Sequence, residues 1–190
     1  MGPGLAGAAA LVISFALLDR RVAVLPGLCA AQATAVAAAA AWQGWLQGGA
    51  GLWMAALLVL AVNGIAIPLA LHRLATGLPN APRARFPWLV LGAGLALLAA
   101  LAVLPGVTHG VDRQELGAAL ATVLLGALMT LVGRGVPAQL LGLLSAANGL
   151  VLAGTGMPGL PLLPALALAA MALPAAALAG VRFLGLGETR

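Results

Sequence analysis

Residues 51–71 read GLWMAALLVLAVNGIAIPLAL, a run without a single charged side chain. A helix that crosses the hydrocarbon core of a bilayer needs about 20 mainly apolar residues, and this run has that length. Two of its residues are unusual in such a helix. Asn63 carries an amide that needs a hydrogen-bonding partner in an apolar environment, and Pro68 lacks a backbone N–H. The run therefore predicts a membrane-spanning helix with one polar position and one kink.

The rest of the chain has the same character. Of its 190 residues, 63 % are hydrophobic and 7 % are charged, and the mean hydropathy is +1.13. A soluble domain carries roughly a quarter charged residues, and a disordered chain is more polar still. The 26 Gly and 12 Pro residues follow no triplet period, which excludes a collagen-like chain. We therefore predict an all-α integral membrane protein.

The chain divides into seven apolar runs. The first of them lacks the basic start of a signal peptide, so we count it as a span. Because the connections are short, we expect one polytopic membrane domain over 1–190, with four helices in 1–106 and three in 115–184. The seven predicted spans cover residues 3–18, 22–46, 51–71, 87–105, 115–133, 137–155 and 160–183.

The distribution of Arg predicts the orientation. The chain has nine Arg, no Lys and a net charge of +5, without a basic stripe of the kind that binds nucleic acid. Seven spans put eight of the nine Arg on one side, which the positive-inside rule assigns to the cytoplasm. We therefore expect the N-terminus outside and the C-terminus in the cytoplasm. The cytoplasmic residues are Arg20, Arg21, Arg73, Arg83, Arg85, Arg134, Arg182 and Arg190, and the outer side holds Arg113 beside Asp112 and Glu115.

Aromatic residues lie near the ends of the predicted spans. Trp42, Trp45 and Trp53 flank the turn between the second and third spans. Such rings prefer the headgroup region of the bilayer, where one edge meets water and the body stays apolar. We interpret them as interfacial anchors, and a ligand-binding box is the alternative.

Ionisable side chains are confined to span ends and loops. A charge at mid-membrane is costly and usually marks an ion or proton path, so the absence of charges from the spans argues against a voltage sensor, a retinal protein and a stand-alone proton pump. His72 and His109 lie in loops on opposite sides, which argues against haem ligation, and the single Cys29 provides no disulfide or metal framework. We predict no catalytic, cofactor-binding or metal-binding residue in this chain.

Three amide side chains fall inside predicted spans. Gln32, Asn63 and Asn148, which we call the polar seam, need partners on neighbouring helices or water. Interhelical hydrogen bonds, worth about 0.6 kcal/mol each, are the favoured interpretation, and a hydrated seam is the alternative. Ser and Thr residues can bond to carbonyls of their own helix, so they give less information about contacts between helices. Pro68 and Pro174 are the predicted helix kinks.

Two stretches resemble a known family. The first, over residues 18–80, combines LDRR, GLCAAQA and LAVNGIAIPLALHRLATGLPN, and the second is QLLGLLSAANGLVLAG at 139–154. Together they resemble hydrogenase-4 component E, a small membrane subunit of formate hydrogenlyase-type complexes. The C-terminal half of that subunit is similar to the K-type subunit of respiratory complex I. Seven helices and a length near 200 residues also fit this family.

The chain departs from the family at its ionisable positions. Family members carry a Lys where this chain has Asn63, a Glu where it has Ala147, and an acid near the position of Ala167, whereas Gln32 matches a family Gln. The family is thought to use these groups in its proton path. The resemblance therefore implies a membrane subunit whose scaffold role is kept and whose proton path is lost.

The expected function follows from this resemblance. It implies a non-catalytic membrane-arm subunit of a complex I-related oxidoreductase, group 4 hydrogenase-like or formate-oxidising, in the bacterial inner membrane. The expected partners are antiporter-like subunits and the subunit that anchors the peripheral arm. Iron–sulfur clusters and a nickel–iron or molybdenum centre would reside in partners, with no cofactor in this chain. The alternatives are a small stand-alone transporter with an Asn- and Gln-lined pore and a component of a Mrp-type cation antiporter.

Overall fold

The computed structural model describes residues 8–14, 16, 24–75, 91–92, 94, 113–132 and 136–155. Every regular element within these ranges is helical, and they contain no strand. The predicted all-α class is confirmed for this part of the chain. The predicted spans 87–105 and 160–183, apart from residues 91–92 and 94, lie outside the described residues.

The helices follow the apolar runs of the sequence. Their ends agree to within a few residues with the predicted spans 22–46, 51–71, 115–133 and 137–155. Residues 8–14 form a helical segment within the first predicted span. The other elements are α1 (Leu25–Gln47), α2 (Ala50–Val59), a π-helical segment (Leu60–Ala66), α3 (Ile67–Ala75), α4 (Arg113–Val132) and α5 (Val136–Thr155).

A two-residue turn joins α1 to α2. Gly48 adopts the left-handed conformation with φ 66°, which only glycine adopts without a steric penalty from a Cβ atom. Its N–H donates to the Gly44 carbonyl oxygen at 2.9 Å and closes the end of α1. Gly49 is extended, with φ −89° and ψ 117°, and starts α2. Such a short connection makes the two helices antiparallel neighbours.

The helix from α2 to α3 changes its hydrogen-bond register in the middle. In the π-helical segment the hydrogen bonds change to a five-residue register, as in the bond from the Ile67 N–H to the Val62 carbonyl. Pro68, predicted as a kink, is buried at the second position of α3. The change of register thus ends directly before this proline. Pro174 lies outside the described residues.

Glycines bring α4 and α5 into backbone contact. A Cβ atom on Gly142 would lie 2.7 Å from the Gly126 carbonyl oxygen, and one on Gly149 would lie 2.8 Å from the Val123 backbone nitrogen. A Cβ on Gly126 would collide with the backbone nitrogen of Ala146. Small residues at such crossings are the usual means of close helix packing in lipid.

The buried side chains form two apolar clusters. Val62, in the π-helical segment, packs against both of them. Cys29 is a free, fully buried thiol in the first cluster. The largest buried apolar side chains of the first cluster are Ile67, Leu71, Leu125, Met129, Leu140, Leu141 and Leu144, and those of the second are Val36, Val59, Val151 and Leu152.

Two helices in the described part of the chain are long and apolar enough to cross a membrane. They are Ala50–Arg73, with 24 residues, and Ala138–Thr155, with 18 residues. Leu116–Val132 is a shorter apolar helix. Large apolar side chains are exposed on several helices, with Leu131 84 %, Trp45 75 % and Leu57 65 % exposed. The length and composition of these helices are those of membrane-associated segments.

Candidate functional site

The three residues of the polar seam meet inside the helical bundle. Gln32 comes from α1, Asn63 from the π-helical segment and Asn148 from α5, and each is 0 % exposed. Asn63 Nδ2 donates to Asn148 Oδ1 at 2.7 Å, and Asn148 Nδ2 donates to Gln32 Oε1 at 3.3 Å. A continuous line of amide hydrogen bonds thus links three elements that are distant in sequence.

Two serines continue this line beyond Gln32. Gln32 Nε2 donates to Ser14 Oγ at 2.7 Å and to Ser145 Oγ at 2.9 Å, and the two hydroxyl oxygens are 3.3 Å apart. Both serines are buried. We call these five residues, Ser14, Gln32, Asn63, Ser145 and Asn148, the polar network.

The sequence alone did not single out the two serines, because a serine hydroxyl is usually satisfied by its own helix. Ser14 does bond in this way, donating to the Ala10 carbonyl at 2.8 Å, and it also accepts from Gln32. The spacing of Ser145 and Asn148, three residues apart, places them on one face of a helix. That spacing is a signal that could have indicated Ser145.

Thr34, Thr122 and Thr130 bond to their own helix carbonyls, as expected for isolated hydroxyls.

The hydrogen bonds of the polar network run in one direction. The Ala10 carbonyl can only accept, so the Ser14 proton points to it and a Ser14 lone pair faces Gln32. Gln32 therefore presents its NH₂ group to the serines and its Oε1 to Asn148. Asn148 then presents its Oδ1 to Asn63. The direction of the whole line is fixed by a backbone carbonyl at one end.

The line ends at an acceptor without a donor. Within the described residues, nothing donates a hydrogen bond to the buried Asn63 Oδ1. Leaving such an acceptor unpaired costs about 1–3 kcal/mol. The end of the polar network in the π-helical segment is therefore its least satisfied position.

The π-helical segment explains how Asn63 reaches the interior. Val59, Asn63, Ile67 and Leu71 are all buried, although positions four apart drift around an α-helix with its 3.6 residues per turn. A π-helix has a wider turn, so residues four apart remain nearly aligned across it. The change of register thereby keeps the amide of Asn63 on the same buried face as its apolar neighbours.

The polar network contains no group that titrates near neutral pH. Its members are amides and hydroxyls, which donate and accept hydrogen bonds without changing charge. Among side chains whose burial the structure describes, no acidic or basic one is buried, and no group of three potential metal ligands occurs in the same ranges. His72, expected in a loop, is exposed in the last turn of α3, and His109 lies outside the described residues. Chemically, the arrangement can hold helices together and bind neutral polar groups.

The tryptophans surround the turn between α1 and α2. Trp42, Trp45 and Trp53 are 40 %, 75 % and 44 % exposed. The Trp53 ring lies against α1, since a Cβ atom on Gly44 would lie 3.1 Å from the ring. Trp42 and Trp45 belong to the end of α1, and Trp53 belongs to the start of α2. The exposed rings thus gather at one end of this helix pair.

Of the three positions where the resemblance implies lost ionisable groups, two lie in or beside the polar network. Asn63 is part of the polar network, and Ala147 is 4 % exposed next to Asn148, whereas Ala167 lies outside the described residues. Comparison of the chain with protein-family models, with curated proteins and with solved structures finds no match in any of the three.

Proposed function

We propose that this chain is a non-catalytic, multi-pass subunit of a complex I-related oxidoreductase in the bacterial cytoplasmic membrane. The complex would be group 4 hydrogenase-like or formate-oxidising. The subunit would scaffold the antiporter-like subunits and join them to the subunit that anchors the peripheral redox arm. Iron–sulfur clusters and the nickel–iron or molybdenum centre belong to the partners.

The observation that carries the scaffold role is the burial of an uncharged polar network, while the complex I-related assembly rests on the resemblance of residues 18–80 and 139–154 to hydrogenase-4 component E. Gln32, Asn63 and Asn148 are each 0 % exposed and bond to one another. A hydrogen bond between membrane helices is worth about 0.6 kcal/mol, so several of them fix the helices in one arrangement. A relay of protons would need groups that change their protonation state, and amides do not do so near neutral pH.

The membrane topology is part of the proposal. Seven spans, with the N-terminus outside and the C-terminus in the cytoplasm, account for the eight-to-one distribution of Arg. The two apolar helices Ala50–Arg73 and Ala138–Thr155 support a membrane location. The exposed Leu57 and Leu131 would contact lipid or partner helices, which are equally apolar.

A small stand-alone transporter is the alternative from a different class. Its pore would be lined by the amides of the polar seam, which would then face water. The amides instead bond to one another and to serines, which favours the scaffold. The third candidate, a component of a Mrp-type cation antiporter, shares with the first the need for stable partners.

Purification in a mild detergent distinguishes these three candidate functions. A C-terminal tag should recover several larger membrane subunits together with iron–sulfur proteins, while the untagged strain serves as the control. Recovery of a monodisperse homo-oligomer that transports a solute in liposomes would refute the proposal in favour of the transporter. Antiporter-like subunits without any redox protein would indicate the Mrp-type assembly.

The same complex tests whether the polar network carries protons. The variant Asn148→Ala should leave the proton-to-electron ratio of the reconstituted complex unchanged at matched turnover. The reason is that the amide it removes holds helices and does not titrate. Thr34→Val, on the exposed side of α1, is the matched control. A collapsed ratio in a fully assembled Asn148→Ala complex would mean that protons pass along the polar network.

A further inference from the structure

Asn63 Oδ1 lacks a donor because of the way all the amides of the polar network are oriented, and not because of the orientation of the Asn63 side chain alone. Turning the Asn63 amide over would set its Oδ1 against Asn148 Oδ1, and two acceptors repel. Turning Asn148 as well would set its Oδ1 against Gln32 Oε1, whose orientation is fixed by the serines and the Ala10 carbonyl. Asn63 Oδ1 is therefore the end of the line in the arrangement that satisfies the rest.

The backbone around Asn63 adds a second acceptor. Ile67 donates its N–H to the Val62 carbonyl, five residues back. The next residue is Pro68, which has no N–H. If the five-residue register continued, the N–H of residue 68 would donate to the carbonyl of Asn63. Because residue 68 is a proline, the carbonyl of Asn63 receives no hydrogen bond from it. The side-chain oxygen of Asn63 thus has no donor, and its backbone carbonyl lacks the donor that this register would assign to it.

The charge and burial around Asn63 determine which kind of hydrogen-bond donor can bind next to its two oxygens. A cation would need a compensating negative charge in an apolar interior, and no acidic side chain is buried among those whose burial is described. A neutral donor needs no such charge, and Asn63 is 0 % exposed, so the donor has to be small. Gly64 beside it is half-buried, and its nearest side-chain neighbour, Leu60 Cδ1, would lie 3.3 Å from an added Cβ atom.

We infer that Asn63 anchors a buried water site in the π-helical segment. One water molecule donates to Asn63 Oδ1, and its second hydrogen is available to the backbone carbonyl of the same residue. Buried waters typically satisfy otherwise unpaired polar groups in this way. The water site does not depend on which complex the chain belongs to, because only the polar network and Pro68 form it.

Radiolytic hydroxyl-radical footprinting in ¹⁸O-labelled water tests this site on the full chain in its native membrane complex. Radicals formed from an internal water modify the side chains next to it, which mass spectrometry then identifies. Val59 and Ile67, one turn either side of Asn63, are 0 % and 4 % exposed. Leu125 and Leu141, each 1 % exposed, are buried controls outside the π-helical segment. We expect ¹⁸O labelling of Val59 and Ile67 several times that of the two leucines.

The variants complete the experiment. Asn63→Leu removes both the side-chain acceptor and the donor to Asn148, and should reduce labelling of Val59 and Ile67 to the level of the leucines. Thr34→Val should leave the labelling unchanged. Equal labelling of all four residues in the wild-type protein overturns the inference, whether or not Asn63→Leu folds. It is also overturned if the excess survives in folded Asn63→Leu, or if sodium chloride suppresses labelling that choline chloride allows, which would indicate a bound cation.

Discussion

At the scale of single residues, Gln32 joins the two ends of the polar network. Its NH₂ group bonds to Ser14 and Ser145, and its Oε1 accepts from Asn148. Replacing it with Leu keeps the size of the side chain and leaves the buried donor of Asn148 without an acceptor. We expect Gln32→Leu to destabilise the protein by at least about 1–3 kcal/mol, the cost of an unsatisfied buried group.

The buried thiol of Cys29 provides the measurement for this prediction. It is the single cysteine of the chain and is 0 % exposed, so a thiol-reactive fluorophore reports unfolding during a thermal melt in detergent. Thr34→Val is the control on the same helix, because the exposed Thr34 hydroxyl bonds to its own helix at Ala30. It should melt within error of the wild type. Equal melting of Gln32→Leu and Thr34→Val would mean that the polar network contributes nothing to stability.

At the scale of elements, the contact between α4 and α5 depends on particular glycines. A Cβ atom on Gly142 would lie 2.5 Å from the Thr130 backbone nitrogen, and a backbone atom cannot move aside as a flexible side chain does. Gly142→Ala should therefore force the helices apart and cost about 1–3 kcal/mol, as overpacking does. Gly27→Ala is the matched control, because nothing lies within 4 Å of the added Cβ in α1. Alanine there should be neutral or stabilise by about 1 kcal/mol, and similar melting of both variants would contradict the close contact.

The turn between α1 and α2 gives a second prediction at this scale. Gly48 has φ 66°, whereas Gly49 has φ −89°. A Cβ atom in the left-handed conformation costs roughly 1–2 kcal/mol, so Gly48→Ala should lower the melting temperature. Gly48→Asn should lower it less, because asparagine tolerates this conformation. Gly49→Ala should change little, and a larger effect at Gly49 than at Gly48 would show that the turn has another geometry.

The sequence predicts the helices of this chain better than their internal details. Apolar runs as long as a bilayer is thick predict the helices α1, α4 and α5. Pro68 predicts a disturbed helix, but a π register depends on which face the neighbouring helices bury. For the same reason the sequence does not reveal that Gly126, rather than a neighbour, meets the backbone of α5.

Considering the folded chain as a whole, the members of the polar seam could be identified from the sequence, but their hydrogen-bond partners could not. Gln32, Asn63 and Asn148 could be singled out because an amide inside an apolar run needs a partner. Their pairing could not be predicted, since the three residues are separated by 31 to 116 positions and meet only through the packing of α1 and α5. The unpaired Asn63 Oδ1 follows from that pairing, so it too became visible only in the folded chain.

The orientation of the molecule in the membrane is the last prediction. In a Cys29→Ala background, Gly49→Cys lies at the turn flanked by exposed tryptophans, and Thr76→Cys lies in the Arg-rich connection 72–86. The positive-inside rule puts the Arg-rich connection, and with it the second cysteine, in the cytoplasm, and the first cysteine, one predicted span away, outside. A membrane-impermeant maleimide should therefore label Gly49→Cys in right-side-out vesicles and Thr76→Cys in inverted ones. Labelling of both cysteines from the same side would require an even number of spans between them, and the helix from α2 to α3 would then lie within the bundle without crossing the bilayer.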